Sequence, residues 1–329
     1  MVKHYFIRDI PLFGCIAFGI IDRGTNILQV RPISECPLSC IFCSTDAGAY
    51  SKNRLSEYMV ELEQLLTSFE WAASYKKCEI EAHIDTVGEP LMYPYIVELV
   101  KRLSDNPYVK IVSMQSNGIL LNEKLMNELE AGLSRINISI DAMNPQLAKR
   151  IAGVDSYNLE RVMENARYIA QNTNIDLLIA PVWLPGINDK EIPRLIEFAL
   201  SIGAGKRWPA MGIQKYIPHK YGRKPDVKVM RWDAFYSQLE KWENEYSTKL
   251  VLRPEDFGSY RCKPLPRFFK RYEKVKVKVA GYGWMQAEKL GVAKDRVITI
   301  LNAQRIPVGK QVYVKIVRTM DGIYLAKPM

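Results

Sequence analysis

Strand and helix patterns alternate along most of this 329-residue sequence, and this alternation constrains the fold more than any other feature. Short apolar, β-branched runs are each followed by a helical pattern. The predicted strands cover residues 26–31, 79–84, 109–114, 135–140, 175–182 and 211–216. The predicted helices cover residues 55–69, 95–103, 123–131, 159–171, 190–201 and 232–246. Six such units predict an α/β fold with a parallel sheet, whose strands all present their following loops at one edge.

Two α/β architectures fit this order, a partial (β/α)6 barrel and a doubly wound open sheet. Both bind ligands at the carboxyl ends of their strands. No G-x-G-x-x-G follows the first strand, so dinucleotide binding is unsupported. Beyond residue 260 the pattern changes to short strands at 275–280, 296–302, 312–317 and 322–327. We therefore expect an α/β domain over residues 1–260, and a basic linker with a small OB-like β-barrel over residues 261–329.

Charge is distributed unevenly along the chain. Residues 205–329 contain 27 Lys and Arg against 11 Asp and Glu, a net +16, whereas the remainder carries −6. Between residues 261 and 278, eight basic residues accompany one acid, with aromatic residues interleaved. This pattern predicts a polyanionic partner, nucleic acid first, and a basic surface that serves solubility is the alternative. The predicted RNA contacts are Lys220, Arg223, Lys224, Arg267, Lys270, Arg271, Lys274 and Lys276.

Composition and hydropathy exclude several classes of protein. Apolar residues make up 48% and charged residues 25%, as in ordinary globular chains, which argues against wholesale disorder. The longest apolar run, around residues 11–21, stops at Asp22 and is too short to span a membrane. Arg8 and Asp9 interrupt any signal-peptide core. The sequence therefore predicts a cytoplasmic protein with no membrane partner.

Three of the six cysteines lie within eight residues, in the loop after the first predicted strand. Cys36, Cys40 and Cys43 form a C-x-x-x-C-x-x-C motif. Three thiolates can hold three irons of a [4Fe-4S] cluster and leave the fourth iron open. Structural zinc, the alternative, requires four closed ligands, and no further Cys or His lies nearby in the sequence. The motif thus favours a cluster with an open coordination position.

This motif resembles that of the radical S-adenosylmethionine (SAM) superfamily, which has an aromatic residue where Phe42 stands. The resemblance extends to Gly88-Glu89-Pro90, Ser116-Asn117 and Ser139-x-Asp141, which follow the second, third and fourth predicted strands. It implies that a [4Fe-4S] cluster and SAM are cofactors, and that these residues line the SAM site with Glu89 at the amino group. It also implies an external electron donor and a 5′-deoxyadenosyl radical that abstracts hydrogen from the substrate.

The C-terminal strands resemble the TRAM domain, an RNA-binding β-barrel fused to several RNA-modifying enzymes. A barrel that only caps the α/β domain is the alternative. Some radical SAM RNA methylases use two cysteines, one of which carries the methyl group. Cys15, upstream of the motif, and Cys262, near the end of the α/β domain, resemble such a pair in position, and two ordinary buried thiols are the alternative.

Together these patterns predict a radical SAM enzyme that modifies RNA. Transfer RNA is the first candidate substrate, and methylation of an unactivated carbon is the expected reaction. The alternative is a radical SAM enzyme that acts on a protein or a small molecule.

Overall fold

The computed structural model describes residues 2–329. Two compact units interleave along the sequence. The first comprises Met1–Glu35, Ser51–Lys110 and Arg261–Met329, and the second comprises Cys36–Tyr50 and Ile111–Tyr260. The C-terminal residues therefore share a unit with N-terminal ones, and a separate barrel domain beginning at residue 261 stays a prediction.

The first unit contains two small groups of strands before the C-terminal barrel. Its elements are β1 (Lys3–Ile7), β2 (Gly19–Asp22), β3 (Ile27–Arg31), β4 (Ser56–Val60), α1 (Leu62–Lys76), β5 (Ile80–Ile84) and α2 (Ile96–Ser104). Strand β3 pairs antiparallel with β2 and parallel with β5. Strand β1 pairs parallel with β4. The buried positions of these strands are aliphatic for the most part, as expected for strands that pack between layers.

A closed five-stranded barrel ends the first unit. Its strands are β11 (Lys274–Tyr282), β12 (Lys289–Ala293), β13 (Arg296–Ile300), β14 (Gln311–Arg318) and β15 (Tyr324–Pro328), in the order β11-β12-β13-β15-β14. Alternate residues of β11 and β14 fill the core with valine and isoleucine. A Cβ on Gly291 would stand 2.9 Å from Ile300 and 3.0 Å from Val277, so a larger residue would crowd the barrel core.

The second unit follows an α/β order. Its elements are β6 (Val109–Ser116), α3 (Glu123–Glu130), β7 (Arg135–Ile138), α4 (Pro145–Ala152), α5 (Leu159–Asn172), β8 (Asp176–Ile179), β9 (Val182–Trp183), α6 (Glu191–Ser201), β10 (Gln214–Lys215) and α7 (Trp232–Tyr246). Strand β7 pairs parallel with β6 on one side and with β8 on the other. The carboxyl ends of these strands therefore lie at one edge of the sheet.

The structure differs from the prediction at one helix boundary and in several elements that were not predicted, among them α4 and β12. The helix expected over residues 55–69 begins only at Leu62, because the preceding β-forming residues make β4. Helix α4 was not predicted, although Asn144 caps it and Gly153, at φ 69°, ends it. Strand β12 was missed because Gly291 and Ala293 weaken its strand pattern.

None of the helices within residues 2–329 has the length and apolar character needed to cross a membrane.

Candidate functional site

The segment Cys36–Tyr50 of the second unit, here called the cysteine loop, carries the three predicted cluster ligands. Cys36, Cys40 and Cys43 are half-buried thiols, and Phe42 between them is also half-buried. The backbone N–H of Ala47 donates to Cys43 Sγ at 3.2 Å. Hydrogen bonds of this kind stabilise thiolate sulfur in iron–sulfur sites.

Helix α4 holds one side of this loop. Ser39 N donates to the Ala152 carbonyl at 3.0 Å, and Ile41 N donates to the Ile151 carbonyl at 2.9 Å. These carbonyls belong to the last turn of α4 and have no partner within the helix. A Cβ on Gly153 would stand 2.1 Å from the Ser39 carbonyl oxygen, so this contact requires glycine.

The electrostatic surroundings disfavour an uncompensated thiolate at Cys40. Burial raises the pKa of Cys40 well above its ordinary value, and the negative charges of Asp141, Cys36 and Cys43 raise it further, while Arg223 opposes them. Three thiolates at this loop therefore need a compensating cation, which iron ions provide.

The donor set also fits a cubane cluster. Within residues 2–329, no group of three or more His, Cys, Asp or Glu side chains converges on a position for a single metal ion. That finding does not bear on a [4Fe-4S] ligand set, because each cysteine of such a set binds a different iron. Three free, half-buried thiols on one loop fit the cluster, and Cys36, Cys40 and Cys43 would be its protein ligands.

Predicted SAM residues of the second unit lie at the carboxyl ends of β6 and β7. Ser139 N donates to the Ser116 carbonyl at 2.9 Å, which places these two serines side by side. The Gln115 side chain donates to Ser139 Oγ at 3.0 Å. Asn117 Nδ2 lies 4.0 Å from Cys36 Sγ, at the edge of the cysteine loop. The structure thus brings Ser116, Asn117 and Ser139 together beside the cluster ligands.

Asp141 lies three residues beyond the end of β7, and one of its carboxylate oxygens is already hydrogen-bonded. Its Oδ1 accepts a hydrogen bond from Val182 N at 2.7 Å. Its backbone carbonyl accepts one from the Asn188 side chain at 2.9 Å. Burial raises the pKa of Asp141 to about 7, against the lowering effect of the Val182 bond. One carboxylate oxygen therefore has a structural role, and a contact with SAM through the other remains a prediction.

In the first unit, Gly88-Glu89-Pro90 forms a tight turn after β5. A Cβ on Gly88 would stand 2.0 Å from the Glu35 carbonyl oxygen, so this close approach of the two backbone segments requires glycine. Glu89 N donates to the same Glu35 carbonyl at 2.7 Å. Glu89 is buried, at 1% exposure, and its Oε1 accepts a hydrogen bond from Leu91 N at 3.1 Å. This carboxylate therefore caps the short helical turn that begins at Pro90, and its predicted role at the SAM amino group stays a prediction.

Arg54 anchors this turn, and sequence reasoning missed it. Its fully buried guanidinium donates to the Ser34 carbonyl at 2.7 Å, pairs with Glu57 at 2.8 Å and also donates to the Val87 carbonyl. The guanidinium also lies over the Trp284 ring, 4.9 Å from its centroid. No local motif marks Arg54, because Ser34, Val87 and Trp284, which its guanidinium contacts, are distant in sequence.

The predicted role of Cys262 needs correction, and that of Cys15 stays a prediction. Cys262 forms a disulfide with Cys78, so it offers no thiolate. Cys78 lies at the amino end of β5, whereas the Gly88 turn follows the carboxyl end. The position expected for Cys262, near the chemistry, was therefore wrong. Cys15 is 2% exposed, and burial raises the pKa of its thiol to about 11.

The predicted RNA contacts divide into two groups. Seven are exposed: Lys220, Lys224, Arg267, Lys270, Arg271, Lys274 and Lys276. Arg223 differs, because its guanidinium pairs with the buried Asp46 at 3.1 Å and donates to the Ala47 carbonyl at 2.6 Å. Its side chain is therefore engaged by the cysteine loop, and an RNA contact of Arg223 stays a prediction.

Comparison with known proteins identifies the family. The family profile described as the radical SAM superfamily matches residues 30–199, which include the cysteine loop and the Gly88 turn. The chain belongs to the radical SAM superfamily. Members of this family use a [4Fe-4S] cluster and SAM and need an external electron donor. The α/β fold with a small C-terminal β-barrel agrees with the sequence prediction.

Relatives of this radical SAM chain differ in how much of it they cover. An uncharacterized protein of Methanocaldococcus jannaschii is 43% identical, over 98% of this chain and 80% of its own length. A probable GTP 3′,8-cyclase of Thermococcus kodakarensis is 31% identical, over 55% of each chain. The crystal structure of Streptococcus suis SuiB bound to S-adenosylmethionine has a TM-score of 0.53 at 16% identity, over 68% of this chain and 50% of that one. This last likeness concerns the fold alone.

Proposed function

We propose that this radical SAM enzyme modifies RNA, with tRNA as the first candidate substrate. The observation that carries the proposal is a basic and aromatic surface on three neighbouring barrel strands. This lysine face consists of the exposed residues Tyr272, Lys274, Lys276, Tyr313, Lys315 and Lys327.

Three lysines form a row across the lysine face. Lys274 lies directly opposite Lys315 in the β11–β14 pair, and Lys315 lies directly opposite Lys327 in the β14–β15 pair. None of the three forms an ion pair with an acid within residues 2–329. Like charges directly opposite on a sheet repel each other and destabilise it. A bound polyanion would remove this cost, so the row favours a phosphate backbone as its ligand.

Two exposed aromatic rings accompany the lysines. Tyr313 is 59% exposed and Tyr272 is 56% exposed. Lys276 is paired with Tyr313 across the strands, and Lys315 Nζ lies 5.2 Å from the Tyr272 ring centroid. Aromatic rings beside cations are the usual combination for single-stranded nucleic acid, because bases stack while phosphates pair with charge.

A second surface of the same character lies in the second unit. Trp232 is 51% exposed and stacks on Tyr236, with ring centroids 5.7 Å apart. Lys215 Nζ lies 4.7 Å from the Trp232 ring centroid. The exposed Lys220 and Lys224 stand in the preceding segment of the chain. These residues would supply further base stacking and phosphate contacts.

The chemistry is divided between cofactor and protein. When bound, the cluster and SAM supply reductive cleavage of the C–S bond and hydrogen abstraction from the substrate. Cys36, Cys40 and Cys43 would hold the cluster, and Ser116, Asn117 and Ser139 would contact SAM, with Glu89 as a further predicted SAM ligand. The methyl transfer predicted from Cys15 and Cys262 loses support, because Cys262 is held in a disulfide and Cys15 is buried. The proposal therefore concerns the RNA substrate and leaves the added group open.

Binding of bulk tRNA to the reconstituted enzyme at several salt concentrations tests the proposal. The triple variant Lys274→Gln, Lys315→Gln, Lys327→Gln should bind at least about 10-fold more weakly than wild type. Its plot of log affinity against log salt should be shallower by about 2 to 3, because each lost phosphate contact retains close to one counterion.

A matched control removes the same charge elsewhere. The triple variant Lys101→Gln, Lys124→Gln, Lys190→Gln changes three exposed lysines outside the barrel. It should retain tRNA affinity within about 2-fold of wild type, since non-contacting charges act only through the screened overall field. Equal losses in both variants, or no loss in the lysine-face variant, would contradict the proposal.

One observation favours a second candidate, a small nucleotide as substrate. The probable GTP 3′,8-cyclase relative acts, by its name, on a free nucleotide, and it is similar to this chain over 55% of both lengths. On this alternative, GTP rather than RNA should accelerate SAM cleavage, and the lysine-face variant should leave that acceleration unchanged.

A further inference from the structure

Arg223 binds the cysteine loop through both its backbone and its side chain. Its backbone N–H donates to the Cys43 carbonyl at 2.9 Å. Its guanidinium donates to the Cys40 carbonyl at 3.2 Å and to the Ala47 carbonyl at 2.6 Å. The same group pairs with Asp46 at 3.1 Å. One arginine therefore contacts the backbones of two of the three cluster ligands.

The neighbouring residue makes this approach possible. A Cβ on Gly222 would stand 2.8 Å from the Cys43 carbonyl oxygen and 2.9 Å from the Cα of Ser44. Helix α4 contacts the loop at Ser39 and Ile41. Arg223 contacts the same loop at Cys40, Cys43 and Ala47. These contacts fix the backbone positions from which the Cys40 and Cys43 side chains extend.

The Arg223–Asp46 pair is also a pair of opposite charges shielded from water. The Arg223 side chain is 17% exposed and that of Asp46 is 3% exposed. Arginine remains protonated at any pH that the protein survives. Charges in such surroundings interact more strongly with neighbouring groups than surface charges do.

The potential of an iron–sulfur cluster depends on the charges and hydrogen bonds around it. Reduction adds one negative charge at the cluster. A neighbouring cation stabilises the reduced form, and a neighbouring anion destabilises it. Hydrogen bonds to the Cys40 and Cys43 carbonyls, by themselves, only position the ligands.

We propose that Arg223 and Asp46 are positioning residues that set the reduction potential of the cluster in opposite directions. Arg223 raises the potential and keeps the reduced state accessible to the electron donor. Asp46 orients Arg223 and lowers the potential. This inference rests on the cluster assignment and is independent of the RNA substrate.

A redox titration of reconstituted enzyme, followed by the EPR signal of the reduced cluster, tests the proposal. Arg223→Gln should shift the midpoint potential to more negative values, and Asp46→Asn should shift it to more positive values. Arg223→Lys, which keeps the charge and loses the forked hydrogen bonds, should lie closer to wild type than Arg223→Gln. Iron content near four per chain is confirmed for each variant first.

The exposed pair Arg231–Asp233 in the same unit provides the control, with a contact of 3.0 Å. Arg231→Gln and Asp233→Asn should leave the potential unchanged. A purely structural role predicts that Arg223→Gln and Asp46→Asn shift the potential in the same direction or not at all, and either result overturns the proposal. If Arg223→Gln takes up no cluster, Asp46→Asn decides alone: an unchanged or more negative potential overturns it.

Discussion

At the scale of single residues, Gly88 shows why the turn after β5 tolerates no side chain. The carbonyl oxygens of Glu35 and Ser34 lie 2.0 and 2.3 Å from where its Cβ would stand. Both are backbone atoms, so relief of the clash must move the segment that leads into Cys36. Glu89, the predicted ligand of the SAM amino group, would move with it.

Gly88→Ala should therefore weaken SAM binding by at least about 10-fold, because the turn must open to admit the methyl group. Equilibrium binding of SAM to the reconstituted enzyme measures this. Gly281→Ala is the matched control, since a Cβ there meets no atom within 4 Å. Equal SAM affinity in the two variants would show that the Gly88 turn does not position the cofactor.

Cys15 allows a second prediction at this scale. Its pKa of about 11 and its burial keep the thiol protonated and shielded, so at pH 8 only about one molecule in a thousand carries the thiolate. Iodoacetamide at pH 8 should leave Cys15 unmodified in the folded apo-protein while alkylating Cys36 and Cys43. Mass spectrometry of the digest reads each site. Rapid alkylation of Cys15 would restore it as a candidate for group transfer.

At the scale of elements, the disulfide ties the start of β5 to the segment before the barrel. Cys78 and Cys262 are 184 residues apart in sequence, so the bond closes a long loop. Cys78→Ser with Cys262→Ser should lower the free energy of unfolding by about 2–5 kcal/mol, because the unfolded chain regains that loop freedom. SAM cleavage should persist, since the bond lies at the amino end of β5.

Thermal unfolding of the double variant, with wild type under a thiol reductant as control, measures this effect. The melting temperature should fall by roughly 5 °C in both samples. If the double variant keeps its cluster and its melting temperature but loses turnover on RNA, the disulfide assignment is wrong and Cys262 is catalytic.

An element could be predicted from the sequence when the residues that mark it are close together in the chain. The strands β3, β5, β6 and β7 carry apolar runs that end in polar turns, and the sequence placed all four. Strand β4 was taken for the start of a helix, because its partner β1 lies more than 50 residues earlier. Arg54, Arg223 and the disulfide share this limit, since each acts through partners distant in sequence.

At the scale of the whole chain, the barrel is joined to the N-terminal segment within the first unit. Val297 N donates to the Phe13 carbonyl at 2.7 Å, and Tyr324 N donates to the Gly14 carbonyl at 3.0 Å. Leu55 N donates to the Trp284 carbonyl at 2.8 Å. Removal of the barrel would therefore leave these polar groups unpaired and expose apolar surface around them.

A chain truncated before Tyr272 should thus melt at a lower temperature than the full chain and bind a hydrophobic dye. Thermal unfolding and dye fluorescence measure this. The lysine-face variant is the matched comparison, because it removes charge and keeps the fold, so its melting temperature should stay at or above that of wild type. A truncated chain with the full melting temperature would show that the barrel is an independent domain.

The most direct test of the account asks whether RNA is the substrate. Reconstituted enzyme is incubated with SAM, a reductant and bulk tRNA, and the RNA is then digested to nucleosides for mass spectrometry. We expect 5′-deoxyadenosine together with a nucleoside of altered mass, both absent with Cys40→Ala, and less of that nucleoside with the lysine-face variant. Formation of 5′-deoxyadenosine with no altered nucleoside in tRNA or rRNA would contradict the proposed function.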